Sequence, residues 1–118
     1  MSGALDTGTL ADLRESVGGD PVFFAELVDE FLADAPTQLA TLREAVTSGD
    51  TEAARRAAHT LKGNSRTFGA DGLASLCQEA EAGAAAGELD AVLARVDEIV
   101  EEWSRVEFEL VAFRDGTK

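Results

Sequence analysis

The segment RRAAHTLKGNSRTFGA, residues 55–70, holds the only histidine of the chain, His59. On a helix, the positions three and four away share the imidazole's face: Arg55, Arg56, Lys62 and Gly63, with Arg66 one turn further along. Residues 53–70 contain four Lys/Arg and no Asp/Glu, in a protein whose formal net charge is −13. Cations around an imidazole favour its neutral form, which is the nucleophile. The same cations would stabilise an anion such as a phosphoryl group placed on that ring. Gly63 costs about 1 kcal/mol relative to alanine inside a helix. Its missing side chain would leave space over the imidazole for a bulky partner.

Two plainer readings compete with that chemistry. A core histidine would have to lie on the apolar side, but helical phase gives that side to Ala54, Ala58, Leu61, Ser65 and Phe68. A solvated histidine on a basic face fits the phase, and only the glycine and lysine spacing speaks against it. Enzymatic readings are weaker. Ser65 lies six residues from His59 and nearly opposite in phase, so the two could not form a nucleophile–base pair. Cys77 falls on an apolar stripe and reads as a small buried hydrophobe. One histidine and one cysteine make no metal set. No phosphate-binding glycine loop of an ATP site is present, and GADG at residues 69–72 reads as a helix connection.

The elements that must position His59 are helical throughout. A short helix over TLADLRESV would place Leu10, Leu13 and Val17 together before Gly18-Gly19 ends it. Asp20-Pro21 is a start signal, a capping acid followed by proline at the first helical position. Phe24, Leu27, Phe31, Ala35, Leu39, Leu42 and Val46 then follow at steps of 3 and 4, one stripe of a long helix. The stripe keeps its phase across Pro36, which favours one continuous, kinked helix over two. Ser48-Gly49-Asp50 makes the turn into the histidine helix, and Gly69 suits its left-handed C-terminal position. Asp71 is expected to cap a fourth helix carrying Leu73, Leu76, Cys77 and Ala80 inward, with Gly87 as its stop. The last helix, about residues 88–113, carries Leu89, Val92, Val96, Ile99, Trp103, Val106, Leu110 and Phe113.

With no alternating strand pattern and short connections, the expected fold is all-α. It is an up-and-down antiparallel four-helix bundle with a short extra N-terminal helix. Residues 1–8 are expected to be a flexible N-terminus, 9–114 the domain and 115–118 a flexible tail. At 118 residues, with 45% hydrophobic and 28% charged residues, the chain is long enough for one modest core. Its acidity argues against nucleic acid and against an anionic membrane surface. Nothing at the start resembles a secretion signal, and no apolar run is long enough for a membrane span. A cytoplasmic monomer is the expectation.

His59-Thr60-Leu61-Lys62-Gly63-Asn64-Ser65, followed by Gly69-Ala70 and Leu73, resembles the H-x-L-K-G-x-S-x(3)-G-A motif of histidine-containing phosphotransfer (HPt) domains. Phe31-Leu32, the Ser48-Gly49-Asp50 turn, and Cys77 with Glu79 and Glu81 fit the same pattern, from about Asp20 to Phe113. The resemblance implies that His59 accepts a phosphoryl group on Nε2 and passes it to an aspartate of a response-regulator receiver domain. The donor would be a receiver aspartate or a sensor or hybrid histidine kinase. It further implies that Lys62 offsets phosphoryl charge and Gly63 admits the receiver. Glu81 stands where some members have a glutamine that orients the imidazole through its other ring nitrogen. Arg55, Arg56 and Arg66, with the start of the long helix at Val22–Glu26, would meet the receiver. No cofactor is expected on this chain, since Mg²⁺ belongs to the receiver, and no kinase activity of its own. A phosphate-independent docking or adaptor module on the same fold is the alternative.

Overall fold

The computed structural model describes residues 3–116, which form five helices: α1 (Thr7–Ser16), α2 (Pro21–Ser48), α3 (Thr51–Thr67), α4 (Asp71–Ala85) and α5 (Leu89–Gly116). There is no strand among the described residues. The all-helical fold follows from the stripe pattern. Each stripe needs a partner surface, and α2 packs on α3 and α5 while α4 packs on α3 and α5. Along α2 and α3 the contacts step in opposite directions, Phe31 with Phe68 and Asp34 with Asn64. α4 and α5 likewise step in opposite directions, meeting at Glu79 with Arg95 and at Gly72 against Glu102.

Capping residues set the element boundaries. The Asp20 carboxylate accepts from the amides of Val22 and Phe23, with Pro21 opening α2. α2 runs unbroken through Pro36, whose ring sits on the exposed side, so water can solvate the carbonyl deprived of its helical donor. Gly49 (φ +80) ends it, and Asp50, the next residue, caps α3. Asp71 does not cap α4. It is the first helical residue, after Ala70, where its negative charge still faces the positive end of the helix.

The N-terminal boundary lies earlier than residue 9. Asp6 caps α1 through the amides of Gly8 and Thr9, so the helix begins at Thr7. The segment before it is pinned: Leu5 is buried, and Glu109 accepts from the amides of Ala4 and Leu5. The Asp6 amide donates to the Gly69 carbonyl at 2.8 Å, tying this strap to the α3–α4 corner. Helix α5 continues through residues 115 and 116, and the remaining parts of the expected flexible ends, residues 1–2 and 117–118, lie outside the described residues.

The core is aliphatic along the bundle and aromatic at one end. Phe31 stacks on Phe68 (centroids 4.7 Å) and takes the edge of Trp103 (5.2 Å), joining α2, α3 and α5. Within the α2 stripe Val28 is fully buried and Leu27 only partly, a shift of one residue from the expected phase. Beyond the ends of α3 and α4, α2 and α5 continue together, with Phe24 edge-on to Phe113 and Arg114 paired to Asp29. Arg14 of α1 lies over the Phe113 ring, so α1 covers this overhang.

Candidate functional site

Helix α3 divides cleanly into two faces. Ala54, Ala57, Ala58, Leu61 and Ser65 are buried, and the Ser65 hydroxyl donates to the Leu61 carbonyl at 2.6 Å. A hydroxyl so enclosed and bonded is no nucleophile for His59. The imidazole is on the opposite face with 62% of its side-chain surface exposed.

The ring is held from α4. His59 Nδ1 lies 2.8 Å from Glu81 Oε2. Glu81 Oε1 lies 2.6 Å from Lys62 Nζ, so one carboxylate takes both partners. Both side chains are largely covered, Lys62 at 17% and Glu81 at 19% exposure, in the groove between α3 and α4. Lys62 holds the Glu81 carboxyl below the ordinary carboxylate range, opposed by its burial and aided by His59. An ionised carboxylate only accepts hydrogen bonds, so Nδ1 must carry the ring proton. Nε2 is then the lone-pair nitrogen of the neutral ring.

The four cations of this helix are not a free cloud around the imidazole. Arg55 is bidentate to Glu52, at 2.6 and 3.1 Å, and Arg56 stands 3.9 Å from the same carboxylate. Arg55 beside it pulls the Glu52 carboxyl below its ordinary range. Arg66 donates to the Gln78 side-chain carbonyl at 2.7 Å, further down the α3–α4 groove. The expected surplus of bare positive charge is therefore trimmed by Glu52, just before residues 53–70, and by Glu81 from α4. The Glu52–Arg55 pair was legible as an i,i+3 spacing. The convergence of Lys62 and His59 on one carboxylate had no such signal.

Gly63 is exposed, and a Cβ built on it would meet nothing within 4 Å. A methyl there would therefore make no contact within the chain. The glycine is equally not a site of close helix packing. Its open surface faces outward, beside the ring.

Of the other candidates, Asn64 reaches Asp34 across the α2–α3 interface at 3.5 Å. Cys77 is buried, which pushes its thiol up to about 12 and leaves it protonated at neutral pH. Val22 and Phe23 are exposed, but they lie on the overhang. With Asp34 level with Asn64 and Phe31 level with Phe68, Val22–Glu26 lie roughly 20 Å along the bundle from His59. Among the described residues no group of three or more His, Cys, Asp or Glu could hold a metal ion, and no helix is long and apolar enough to cross a membrane.

Comparison with known proteins agrees with this geometry. The family model described as Hpt domain matches residues 26–109, a span that includes His59, Lys62, Gly63 and Glu81. The crystal structure of histidine-containing phosphotransfer protein B (HptB) from Pseudomonas aeruginosa PAO1 is similar to this chain with a TM-score of 0.88. The two are 32% identical, over 98% of this chain and 97% of that one. No curated protein sequence matches significantly. An all-helical chain with an exposed imidazole locked from the neighbouring helix, matched over most of its length by that model, belongs to the Hpt domain family.

Proposed function

We propose that this protein carries phosphoryl groups on His59 Nε2 between partners of a two-component phosphorelay. One observation carries the reading: Glu81 engages Nδ1 at 2.8 Å while the imidazole stays mostly exposed, which leaves Nε2 as the nucleophile facing solvent. Membership of the Hpt family supplies the reaction class, since members are phosphocarriers.

In the transfer, the Nε2 lone pair attacks the phosphorus of a receiver's aspartyl phosphate. The Nε2–P bond forms as the aspartyl O–P bond breaks, and the carboxylate leaves. The reverse step loads the next receiver. The transition state is loose and its charge is spread over the phosphoryl oxygens, so in-line placement and charge compensation do most of the work. The receiver brings the aspartate and Mg²⁺. This chain brings a preoriented imidazole on a rigid helix and an open surface at Gly63, where the receiver's active-site edge would sit. Arg55, Arg56 and Arg66 flank that surface and complement an acidic receiver pocket. With no ATP-binding loop in its sequence, the chain relies on its partners for phosphate.

The test is incubation with a receiver domain charged by acetyl phosphate. Wild type should acquire an acid-labile, base-stable phosphate that His59→Gln does not. Equal labelling of the two proteins, or none in wild type across a panel of receivers, would sink the proposal.

A further inference from the structure

We propose that the outer edge of α5, with the neighbouring edge of α2, is a second docking surface. Its occupant is a basic amphipathic helix of a partner protein, and it is separate from the His59 face.

Among the described residues five large apolar side chains are exposed, and three of them, Leu93, Val100 and Phe108, lie on α5. The core takes Val92, Val96, Ile99, Trp103, Val106 and Leu110 from this helix. A second series, Leu93, Asp97, Val100, Ser104, Phe108 and Val111, runs beside it at steps of 4, 3, 4, 4 and 3. All six are exposed except Val111, which is partly covered. A helix that met only its own bundle would need one apolar seam, and α5 carries two. Phe108 is the extreme case at 77% exposure, beside a shallow depression lined by Ser104, Val111 and Ala112. Contiguous exposed apolar surface of this kind marks an interaction site.

Ion pairs fix where the stripe lies and what charge surrounds it. Asp97 pairs with Arg43 of α2 at 3.2 Å, so the stripe is on the α2 side of α5. Helical phase from Arg43 puts Leu32, Pro36 and Ala40 on the facing edge of α2. The cations of this side are committed, Arg43 to Asp97 and Arg114 to Asp29. Its remaining margins are negative. Glu101 and Glu107 on α5, and Glu26 and Glu44 on α2, are exposed and have no ion pair among the described residues. From Leu93 to Val111 the stripe is roughly 27 Å long, matching about five turns of a helix laid along it. Such a helix would present its own apolar face at the same 3- and 4-residue spacing. Lysine or arginine on its flanks would meet the four glutamates. A second copy of this chain is a poor occupant, because it would bring like acids together at a net charge of −13 on each copy.

The position of the stripe gives it a use. α2 and α4 each pack on both α3 and α5, which do not pack on each other, so α3 and α5 stand on a diagonal of the bundle. On α3 the imidazole leans toward α4, through Glu81, whereas on α5 the stripe leans toward α2. The two faces are therefore on opposite flanks. One partner can hold the protein by α5 while the imidazole stays open to another.

The probe is a synthetic amphipathic peptide of about five helical turns, leucine on one side and lysine on both flanks, with a twin that carries glutamate for lysine. Fluorescence anisotropy of the labelled peptides reads binding to the full chain, and amide ¹H–¹⁵N shifts locate it. The basic peptide should bind about tenfold or more tighter than its acidic twin at low salt. It should move amides of α5 and the facing edge of α2 and leave those of His59, Lys62 and Gly63 in place. Phe108→Ser combined with Val100→Ser should weaken it about tenfold or more with an unchanged urea midpoint. Glu101→Gln combined with Glu107→Gln should weaken it about threefold and flatten its salt dependence. His59→Gln should bind as wild type does, whatever becomes of phosphotransfer. Shifts centred on α3 or α4, or undiminished binding in the Phe108→Ser, Val100→Ser variant, would overturn the proposal. Equal affinity for the two peptides would overturn the choice of a basic occupant. Sedimentation is the last arm: a wild-type dimer that Phe108→Ser dissolves would give the stripe to a second copy and end the proposal as well.

Discussion

Gly63 and Gly83 both sit inside helices with ordinary negative φ, and each costs its helix about 1 kcal/mol relative to alanine. At Gly83 the fold explains the choice. A Cβ there would stand 2.9 Å from Cγ2 of Val92, a stiff β-branched side chain that is 1% exposed, where α4 and α5 approach closely. At Gly63 a Cβ would touch nothing. One glycine is required by the packing of its own chain. The other is exposed, satisfies no contact among the described residues, and lies beside the imidazole. The inner surfaces of the helices answer to the core, whereas the outer face of α3 answers to something that arrives from outside.

The largest expected effect separates those two kinds of residue outright. His59→Gln should eliminate phosphoryl acceptance while the unfolding free energy stays within about 0.5 kcal/mol, because the ring is a surface group. Phosphate-affinity electrophoresis and urea denaturation measure the pair, and a substantially destabilised variant would move His59 to the core-serving side. Leu61→Ala, two residues away on the closed face, should do the reverse. It should cost about 2–5 kcal/mol and leave the chemistry intact in the fraction that folds.

The glycines themselves give the next two measurements. Gly83→Leu forces a side chain against Val92 and should destabilise by about 1–3 kcal/mol, read as a lower urea midpoint. Gly63→Ala should stabilise by about 1 kcal/mol, or about 4 °C in Tm, and Gly63→Gln should keep that stability yet slow exchange with a receiver. Undiminished exchange in Gly63→Gln would erase the distinction between the two glycines.

The smallest effect is a pH dependence at Glu81. Its folded carboxyl lies below the ordinary value, so the pairing is fully present above the usual carboxylate range. That contribution is lost as pH falls through the depressed folded value. Carboxyl NMR should therefore find Glu81 titrating below 4.5 in wild type and nearer to it in Lys62→Met. No difference between the two would remove Lys62 as the cause.

The same contrast explains what could be read in advance. The stripes, the caps at Asp20 and Asp50, and the turn glycines Gly49 and Gly69 depend on near neighbours in the chain, and local spacing exposes them. So does the division of α3 into two faces. Gly83 was illegible because its neighbour, Val92, lies on the next helix, and within an alanine-rich run it looked like one more small residue. The Lys62–Glu81 contact was hidden for the same reason. Spacing aims Lys62 at the surface around His59, but the register of α4 on α3 brings a carboxylate between them. Resemblance, not periodicity, singled out Glu81. The pinned N-terminal segment was missed because its partners, Gly69 and Glu109, are distant in sequence and its own composition looks loose.

Trp103 offers a practical return on the aromatic end of the core. It is the sole tryptophan of a chain that has no tyrosine, and it lies against Phe31 in a nearly closed site. Emission excited at the red edge of the ultraviolet band therefore comes from one indole that joins α2 to α5. Phe68, on the far side of Phe31, ends α3 roughly 14 Å along that helix from His59. This intrinsic fluorophore should brighten, dim or shift when the helices separate and stay constant when the imidazole is modified, giving an optical gauge of folding that is deaf to the chemistry.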